Sequence, residues 1–365
     1  MKITAVKTYN LVYPLREPFA NSRAWCKTRN ANVVEIQTDA GIVGWGEGQR
    51  ALSPQSIQTH LIGADPFDFE IIWNAQQTPF GGDIAAMSAV DIALWDIMGK
   101  SLDRPIHSLL GGAFRDRIPA YASGLFKKER PNMTQVLADE AKTYVDQGFP
   151  AVKMKIGLGQ DYDVPNVAAV RRALGDDILF AVDANCAYDV GTAIDIGQKI
   201  AACDIYWYEE PIPTDDVEGY REIRQALDLR IAGGEALQGH RAFRRLLQER
   251  GLDIVQPDIC IAGGFTECRK IQAMASANRI RLLPHMWGTA IRLAATLHWQ
   301  ATIPDDPQAL NPLPSLVEFD MTENGLRTDL AQDPIHAIDG YVLVPQKPGL
   351  GIEIDRDVLD KYTVN

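Results

Sequence analysis

Three acidic residues stand 26 residues apart, each closing a short apolar run: Asp183 in LFAVDAN, Glu209 in IYWYEEP and Glu235 in RIAGGE. One strand-plus-helix unit of a (β/α)8 barrel takes about 30 residues, and such barrels carry their chemistry at the C-terminal ends of the strands. In that frame the three carboxylates converge on one point. An all-oxygen anionic trio calls for a compensating cation, and oxygen donors suit a hard ion such as Mg²⁺. A single acidic residue after a strand is ordinarily a helix cap or a solvated charge. Three in register, flanked by other polar residues in register, are not explained that way.

One unit before Asp183, Lys153 and Lys155 flank Met154, so strand alternation sends both amines to one side. Two inward lysines repel each other, and a nearby cation adds to the repulsion, so at least one pKa is expected to fall and leave an amine able to accept a proton. Asp183 and Asn185 share a face by the same alternation, giving Asn185 access to a substrate hydroxyl or a metal-bound water. Gly233 and Gly234 leave room for Glu235. Of Glu209 and Glu210 only one can point inward. Asp258, ending DIVQPD, and His285, ending RLLPH, close successive predicted strands. An Asp that accepts from one imidazole nitrogen fixes the tautomer and raises the basicity of the other, which makes His285 an acid/base. His240 and His298 fall in helical patterns and receive no role.

These side chains need elements to hold them. From Pro119 onward, strands (AVKMKI, ILFAVDAN, DIYWYEEP, RIAGGE, LDIVQPD, IRLLPH) alternate with helical stretches; PAYASG before them and SLVEFD after them bring the strands to eight, enough to close a barrel. An open doubly wound sheet would offer a glycine-rich phosphate turn after its first strand, and none is visible. Residues before this series read as strands (MKITAVKTYNLV, NVVEIQTDAG, GIVGWGEG) with a hairpin turn at Asp39, Ala40 and Gly41, followed by the helix AAMSAVDIALWDIMGKSL. The glycines Gly44, Gly46 and Gly48 lack the spacing of a nucleotide fingerprint. The expected fold is α/β: a TIM-type barrel over 118–325, an α+β capping domain over 1–117, and a segment 326–365 whose short β-like pieces rejoin the cap.

Composition sets outer limits. The chain has 365 residues, 46% hydrophobic and 23% charged, with a formal net charge of −12. That balance argues against a nucleic-acid or anionic-membrane surface, though not against a small anionic substrate in a pocket made positive by a metal and two lysines. Five cysteines form no CxxC pair. MKITAVKTYNLVYPL alternates apolar with polar and no membrane-spanning run follows, so a cytoplasmic, reduced protein is expected, and a homo-oligomer.

Taken in order, Lys-x-Lys, Asp-Ala-Asn, Glu-Glu-Pro, Gly-Gly-Glu, Gln-Pro-Asp and Pro-His resemble the enolase superfamily, specifically its mandelate racemase subgroup, over essentially the whole chain. The muconate-lactonizing subgroup would instead place a lysine beyond the fifth strand. The resemblance implies abstraction of the proton α to a carboxylate, with the enediolate bound by Mg²⁺ on Asp183, Glu209 and Glu235. It implies Lys155 as base on one face and His285, with Asp258, on the other. Lys153 would neutralise the substrate carboxylate and Glu318, in LVEFD, would donate a hydrogen bond to it. Specificity is expected from the loop Glu17 to Arg29, with Phe19, Asn21, Arg23 and Trp25, from Gln49 and Arg50, and from Lys127. These polar and cationic groups suit a hydroxylated diacid. YASGLFKKE, PHMWGT and PGLGIEI resemble the family's galactarolactone cycloisomerases, which implies β-elimination that opens an aldaric acid lactone. The alternatives are an acid-sugar dehydratase of galactarate or glucarate type, a barrel that keeps its metal but has lost its chemistry, and a Schiff-base aldolase.

Overall fold

The structure is a computed structural model that describes residues 1–76, 83–305 and 309–364. The chain opens with three antiparallel strands, β1 (Ile3–Ala20), β2 (Trp25–Thr38) and β3 (Val43–Gly48). The β2–β3 turn falls where Asp39-Ala40-Gly41 predicts it, with Gly41 at φ +75°. The glycines of β3 serve packing. A Cβ at Gly46 would lie 1.8 Å from the Ala89 carbonyl oxygen, and one at Gly44 would lie 2.2 Å from that of Ala93. Their absence lets β3 rest directly on helix Ile84–Ser101.

That helix starts at Asp83, whose carboxylate accepts from Ala86 N. Its apolar residues predict one buried stripe, yet it is buried from Ala85 to Gly99, on every side. The cap sheet covers one flank and barrel helix Gly264–Ala277 another, the latter through the Trp95 and Phe265 rings, 5.9 Å apart. A helix enclosed on both flanks has no solvent face to create contrast.

The barrel strands are β4 (Arg117–Gly124), β6 (Ala151–Lys155), β7 (Leu179–Asp183), β8 (Ile205–Glu209), β9 (Ile231–Gly233), β10 (Ile254–Val255), β11 (Arg281–Leu282) and β12 (Val317–Asp320). All pair in parallel in the order β12-β4-β6-β7-β8-β9-β10-β11, the eight predicted strands in the predicted order. Among the described residues, β11 and β12 are not joined by strand hydrogen bonds. Helices follow the strands: Val217–Ala226 buries Val217, Tyr220 and Ile223 on one stripe at three-residue spacing, whereas Ala290–Ala301 is buried along its whole length. Inside the barrel Tyr121, Ala151, Ala181, Trp207, Ala232, Ile254, Leu283 and Leu316 form a solid plug. The strand-end charges therefore sit above a closed floor.

Two seams tie the early strands to the rest. β5 (Lys127–Lys128), just past β4, pairs with the end of β1. The tail forms β13 (Ala337–Ile338) and β14 (Tyr341–Leu343), the latter antiparallel to β4, and then helix Arg356–Tyr362. This helix lies on β1, with Tyr13 and Tyr362 edge to face at 5.2 Å and Val364 N donating to Asn10 O at 2.8 Å. The tail's helix thus lies on the N-terminal sheet, whereas its two short strands extend the barrel strand β4 and do not join that sheet. Among the described residues no helix is long and apolar enough to cross a membrane.

Candidate active site

Parallel register builds the first half of the site. Lys155 stands opposite Asp183, and Asp183 opposite Glu209, across β6, β7 and β8. Glu235 joins them from the turn after β9, where Gly234 adopts φ +109°. Asp183, Glu209 and Glu235 each offer an oxygen within 4.8 Å of the others. Asp183 and Glu209 are fully buried, and Glu235 keeps 21% of its side-chain exposure. Burial drives the Glu209 carboxyl above the usual range; Lys153 opposes this, and Asp183, Glu318 and Glu235 add to it. Two buried carboxylates and one half-buried, mutually repelling and all offering oxygen, fit a hard divalent cation.

Lys153 and Lys155 share a face, and Met154 faces the outer core. The Lys153 ammonium lies 2.5 Å from Glu209 Oε1, 2.9 Å from Glu318 Oε1 and 3.8 Å from Asp183 Oδ2. Lys155 donates to Asp183 Oδ2 and sits 5.5 Å from the Phe126 ring and 6.0 Å from that of Trp287. The expected fall in a lysine pKa presupposes a cation beside the amines; the chain's own groups act the other way. Burial lowers both, but Glu209, Glu318 and Asp183 around Lys153, and chiefly Asp183 beside Lys155, hold both above the ordinary lysine value. Carboxylates outnumber the amines here, so attraction exceeds lysine–lysine repulsion.

Glu209, not Glu210, turns inward. Its Oε2 accepts from Trp207 Nε1 and Gln256 Nε2, both at 2.8 Å. Glu210, at φ +40°, turns into the wall, where the Cys186 thiol donates to it at 3.3 Å. Burial first, and then Glu235 and Asp183, push the Glu210 carboxyl up. Asn185 lies beyond the end of β7, in the left-handed region at φ +45°, so strand alternation does not place it beside Asp183. Its backbone N–H instead donates to Asp183 Oδ1 at 2.8 Å, and its side-chain Oδ1 is buried without a partner.

The second half rests on His285. Its Nδ1 lies 2.7 Å from Asp258 Oδ2 and its Nε2 3.2 Å from Glu235 Oε2. A parallel bridge between Asp258 and His285 extends the β10–β11 pairing to bring them together. Burial lowers the imidazole pKa, but Glu235, Glu318 and Asp258 together lift it to about 10. Glu318, on β12, accepts from Met286 N at 3.1 Å. Burial would raise its carboxyl, but Lys153, His285 and Lys155 hold it well below the usual range.

The β1–β2 turn reaches the barrel through Ser22, whose hydroxyl donates to Ala184 O at 2.7 Å, directly after metal-ligand candidate Asp183. Phe19 is buried against Phe126 at 4.6 Å. Asn21 spends its side-chain oxygen on its own turn, accepting from Arg23 N and Ala24 N. Arg23 is exposed, and Trp25 is 39% exposed. Lys127 is half-buried, its ammonium 5.4 Å from the Tyr162 ring. Gln49 Oε1 accepts from Arg292 at 3.3 Å, and Arg50 lies 3.9 Å from Asp83 on the surface.

Sequence reasoning passed over Arg292 and Glu47. Arg292 Nη1 reaches Asp258 Oδ2 at 3.0 Å and its Nε reaches Glu47 Oε1 at 2.9 Å, all three side chains being buried. It also passed over Gln256, although Gln256 and Asp258 share alternate positions in QPD.

Comparison with known proteins gives consistent matches. Residues 3–111 match the mandelate racemase / muconate lactonizing enzyme N-terminal domain, and residues 136–358 match the enolase C-terminal domain-like family. A D-galactarolactone cycloisomerase from Agrobacterium fabrum is 39% identical, over 99% of each chain. An arabinonate dehydratase from Saccharolobus solfataricus is 33% identical, over 90% of this chain and 89% of its own. The crystal structure of the 3,6-anhydro-D-galactonate cycloisomerase from Zobellia galactanivorans superposes with a TM-score of 0.86 at 36% identity, covering 100% of both chains.

Proposed function

The chain belongs to the mandelate racemase and muconate lactonizing enzyme family of the enolase superfamily, and on that premise we propose that it removes the proton α to the carboxylate of a sugar-acid lactone and opens the ring by β-elimination. The observation that carries this reading is the placement of two acid/base groups at opposite ends of one carboxylate trio. Lys155 sits at Asp183 and His285 at Glu235.

A Mg²⁺ ion held by Asp183, Glu209 and Glu235 would supply Lewis-acid polarisation of the substrate carboxylate and offset the charge of the enediolate. The chain's own groups do the rest. Lys153, fixed by Glu209 and Glu318, presents a permanent positive charge to the same carboxylate. Lys155 Nζ, or His285 Nε2 for the opposite configuration, takes the α-proton. The electron pair of the broken C–H bond forms the new C=C as the β-carbon–oxygen bond of the ring breaks. The ring oxygen departs as a carboxylate, and the enol tautomerises to a 3-deoxy-2-keto acid with no net redox change. A carboxylate leaves more readily than hydroxide, so less acid assistance is needed than in dehydrating an open acid. Arg23, Trp25 and Lys127, at the cap-side rim, are assigned to the distal end of the substrate.

The relatives support this class, since two carry the name cycloisomerase. Dehydration of an open aldonic or aldaric acid is the second reading, favoured by the arabinonate dehydratase match. A barrel without chemistry is disfavoured because Lys155 and the Asp258–His285 pair are intact. The test is a panel of aldonic and aldaric acids, each supplied as open acid and as lactone with Mg²⁺. Consumption of a lactone ahead of its open acid supports the cycloisomerase reading; the reverse supports the dehydratase.

A further inference from the structure

We propose that Glu47, on the N-terminal sheet, and Arg292 are positioning residues for His285: they aim Asp258, and through it the imidazole, so the proton-transfer group on one side of the barrel mouth works only while β3 is seated. The inference rests on the α-proton chemistry proposed above and adds to it a dependence on the capping strand.

The geometry is a continuous chain of buried polar contacts. Asp258 Oδ2 is shared by His285 Nδ1 at 2.7 Å and Arg292 Nη1 at 3.0 Å, while Oδ1 accepts from Cys260 N at 2.7 Å. Asp258 therefore has donors on both oxygens, and among the described residues Arg292 is its one cationic side chain other than the histidine it serves. Arg292 is in turn gripped from β3. Glu47 Oε1 accepts from Arg292 Nε at 2.9 Å, and Glu47 Oε2 accepts from Thr289 N at 3.1 Å and Thr289 Oγ1 at 2.6 Å. Gln49, two residues on, accepts from Arg292 Nη2, and its N–H donates to Cys260 O at 3.1 Å. Glu47 and Gln49, at the end of β3, thus hold Arg292 and Cys260, the two partners of Asp258 other than His285.

The space is shaped for this crossing. A Cβ at Gly288 would fall 2.5 Å from both Glu47 Oε1 and Arg292 Nε, so the loop between His285 and Arg292 carries no side chain where the pair passes. Glu47 and Asp258 are fully buried and Arg292 is 4% exposed. A buried fork with one carboxylate on each side has one orientation that satisfies both, and fork geometry gives direction as well as charge. Lys155 is held differently. Its polar partner, Asp183, belongs to the barrel strand next to its own.

The experiment uses the intact protein with ¹⁵N-histidine labelling, and NMR reads the tautomer and Nδ1 hydrogen bond of His285 without substrate. Arg292→Lys keeps the charge but loses the fork, and Glu47→Asp shortens the reach; the two cover the case in which Arg292→Ala fails to fold. Thr266→Val is the control: it removes the hydrogen bond from the Thr266 hydroxyl to Asp91 and leaves the one from its backbone N–H, at a seam also between the N-terminal region and the barrel but outside this chain of contacts. We expect the His285 Nδ1–H signature to shift or split in R292K and E47D and to stay in T266V. A second readout is α-proton exchange with D₂O for two substrates epimeric at the α-carbon. Exchange through His285 should fall about 10²-fold, the scale of a misplacement near 1 Å, with exchange through Lys155 within about threefold of wild type. An unchanged imidazole signature in R292K and E47D overturns the inference, as does an equal change in T266V. Absence of exchange in the wild type would instead count against the proposed function, and the imidazole readout stands apart from it.

Discussion

The two proton-transfer groups of the barrel mouth are held by different means. Lys155 is placed by one strand and its neighbour: residue 155 of β6 stands opposite residue 183 of β7, and register does the work. His285 is placed by a chain of three further side chains that ends on the N-terminal sheet. The first arrangement is local and belongs to the barrel; the second joins two parts of the chain 245 residues apart in sequence. A reaction needing one base for each configuration at the α-carbon is thereby supported by one rigid side and one side that depends on assembly.

The comparison breaks entirely if neither side acts on a substrate activated between Asp183, Glu209 and Glu235. Exhaustive chelation, or Glu235→Gln, is expected to reduce turnover by about 10³-fold or more, since both remove charge stabilisation that the two sides share. Turnover followed by proton NMR before and after chelation, and after restoring Mg²⁺, checks this; unchanged rates would remove the metal from the account. The next largest effects separate the sides. Lys155→Met and His285→Asn should each slow α-proton exchange for one epimer by about 10² to 10⁴-fold and spare the other. Deuterium incorporation into a pair of epimeric acids measures it, and equal loss for both epimers in either variant would contradict the assignment of one group to each face.

A smaller effect sharpens the contrast by testing a seam that does not feed His285. Asp91, on helix Ile84–Ser101, accepts from Thr266 N at 3.1 Å, and burial pushes its carboxyl up to about 7 against those hydrogen bonds. The folded state therefore binds this proton more tightly than the unfolded chain does. The resulting stability is complete below about pH 4 and is lost as pH rises through about 7. Wild type should lose stability relative to Asp91→Asn across that window, by an amount on the order of a few kcal/mol. Urea unfolding of both proteins across the window decides it: a pH-independent difference would show that Asp91 does not hold the proton.

Much of the barrel side was legible in the chain. Lys153, Lys155, Asp183 and Glu209 lie on consecutive strands, where two-residue alternation and a near-constant unit length locate the first three, while the choice of Glu209 over Glu210 came from the family resemblance. Alternation failed at Asn185 because β7 stops at Asp183 and the backbone turns left-handed. The pull of the chain's own groups on the two lysines was not legible because it depends on how many carboxylates surround each amine, and Glu318 arrives from the far end of the barrel series. Arg292 and Glu47 were not legible for the same reason at greater range. Arg292 sits in a helical pattern and Glu47 in a glycine-rich strand, and nothing in either local pattern names the other. The glycines of β3 lack the spacing of a nucleotide fingerprint, and only the helix lying on them shows what they are for.

The account stands most directly on the fate of a sugar-acid lactone incubated with the protein and Mg²⁺ in D₂O, followed by proton NMR from mixing. It predicts loss of the α-proton together with opening of the ring, the appearance of a 3-deoxy-2-keto acid, and slower consumption of the corresponding open acid. Faster consumption of open galactarate or glucarate would move the reaction to dehydration. A lactone left intact with its α-proton exchanged or inverted would contradict elimination altogether.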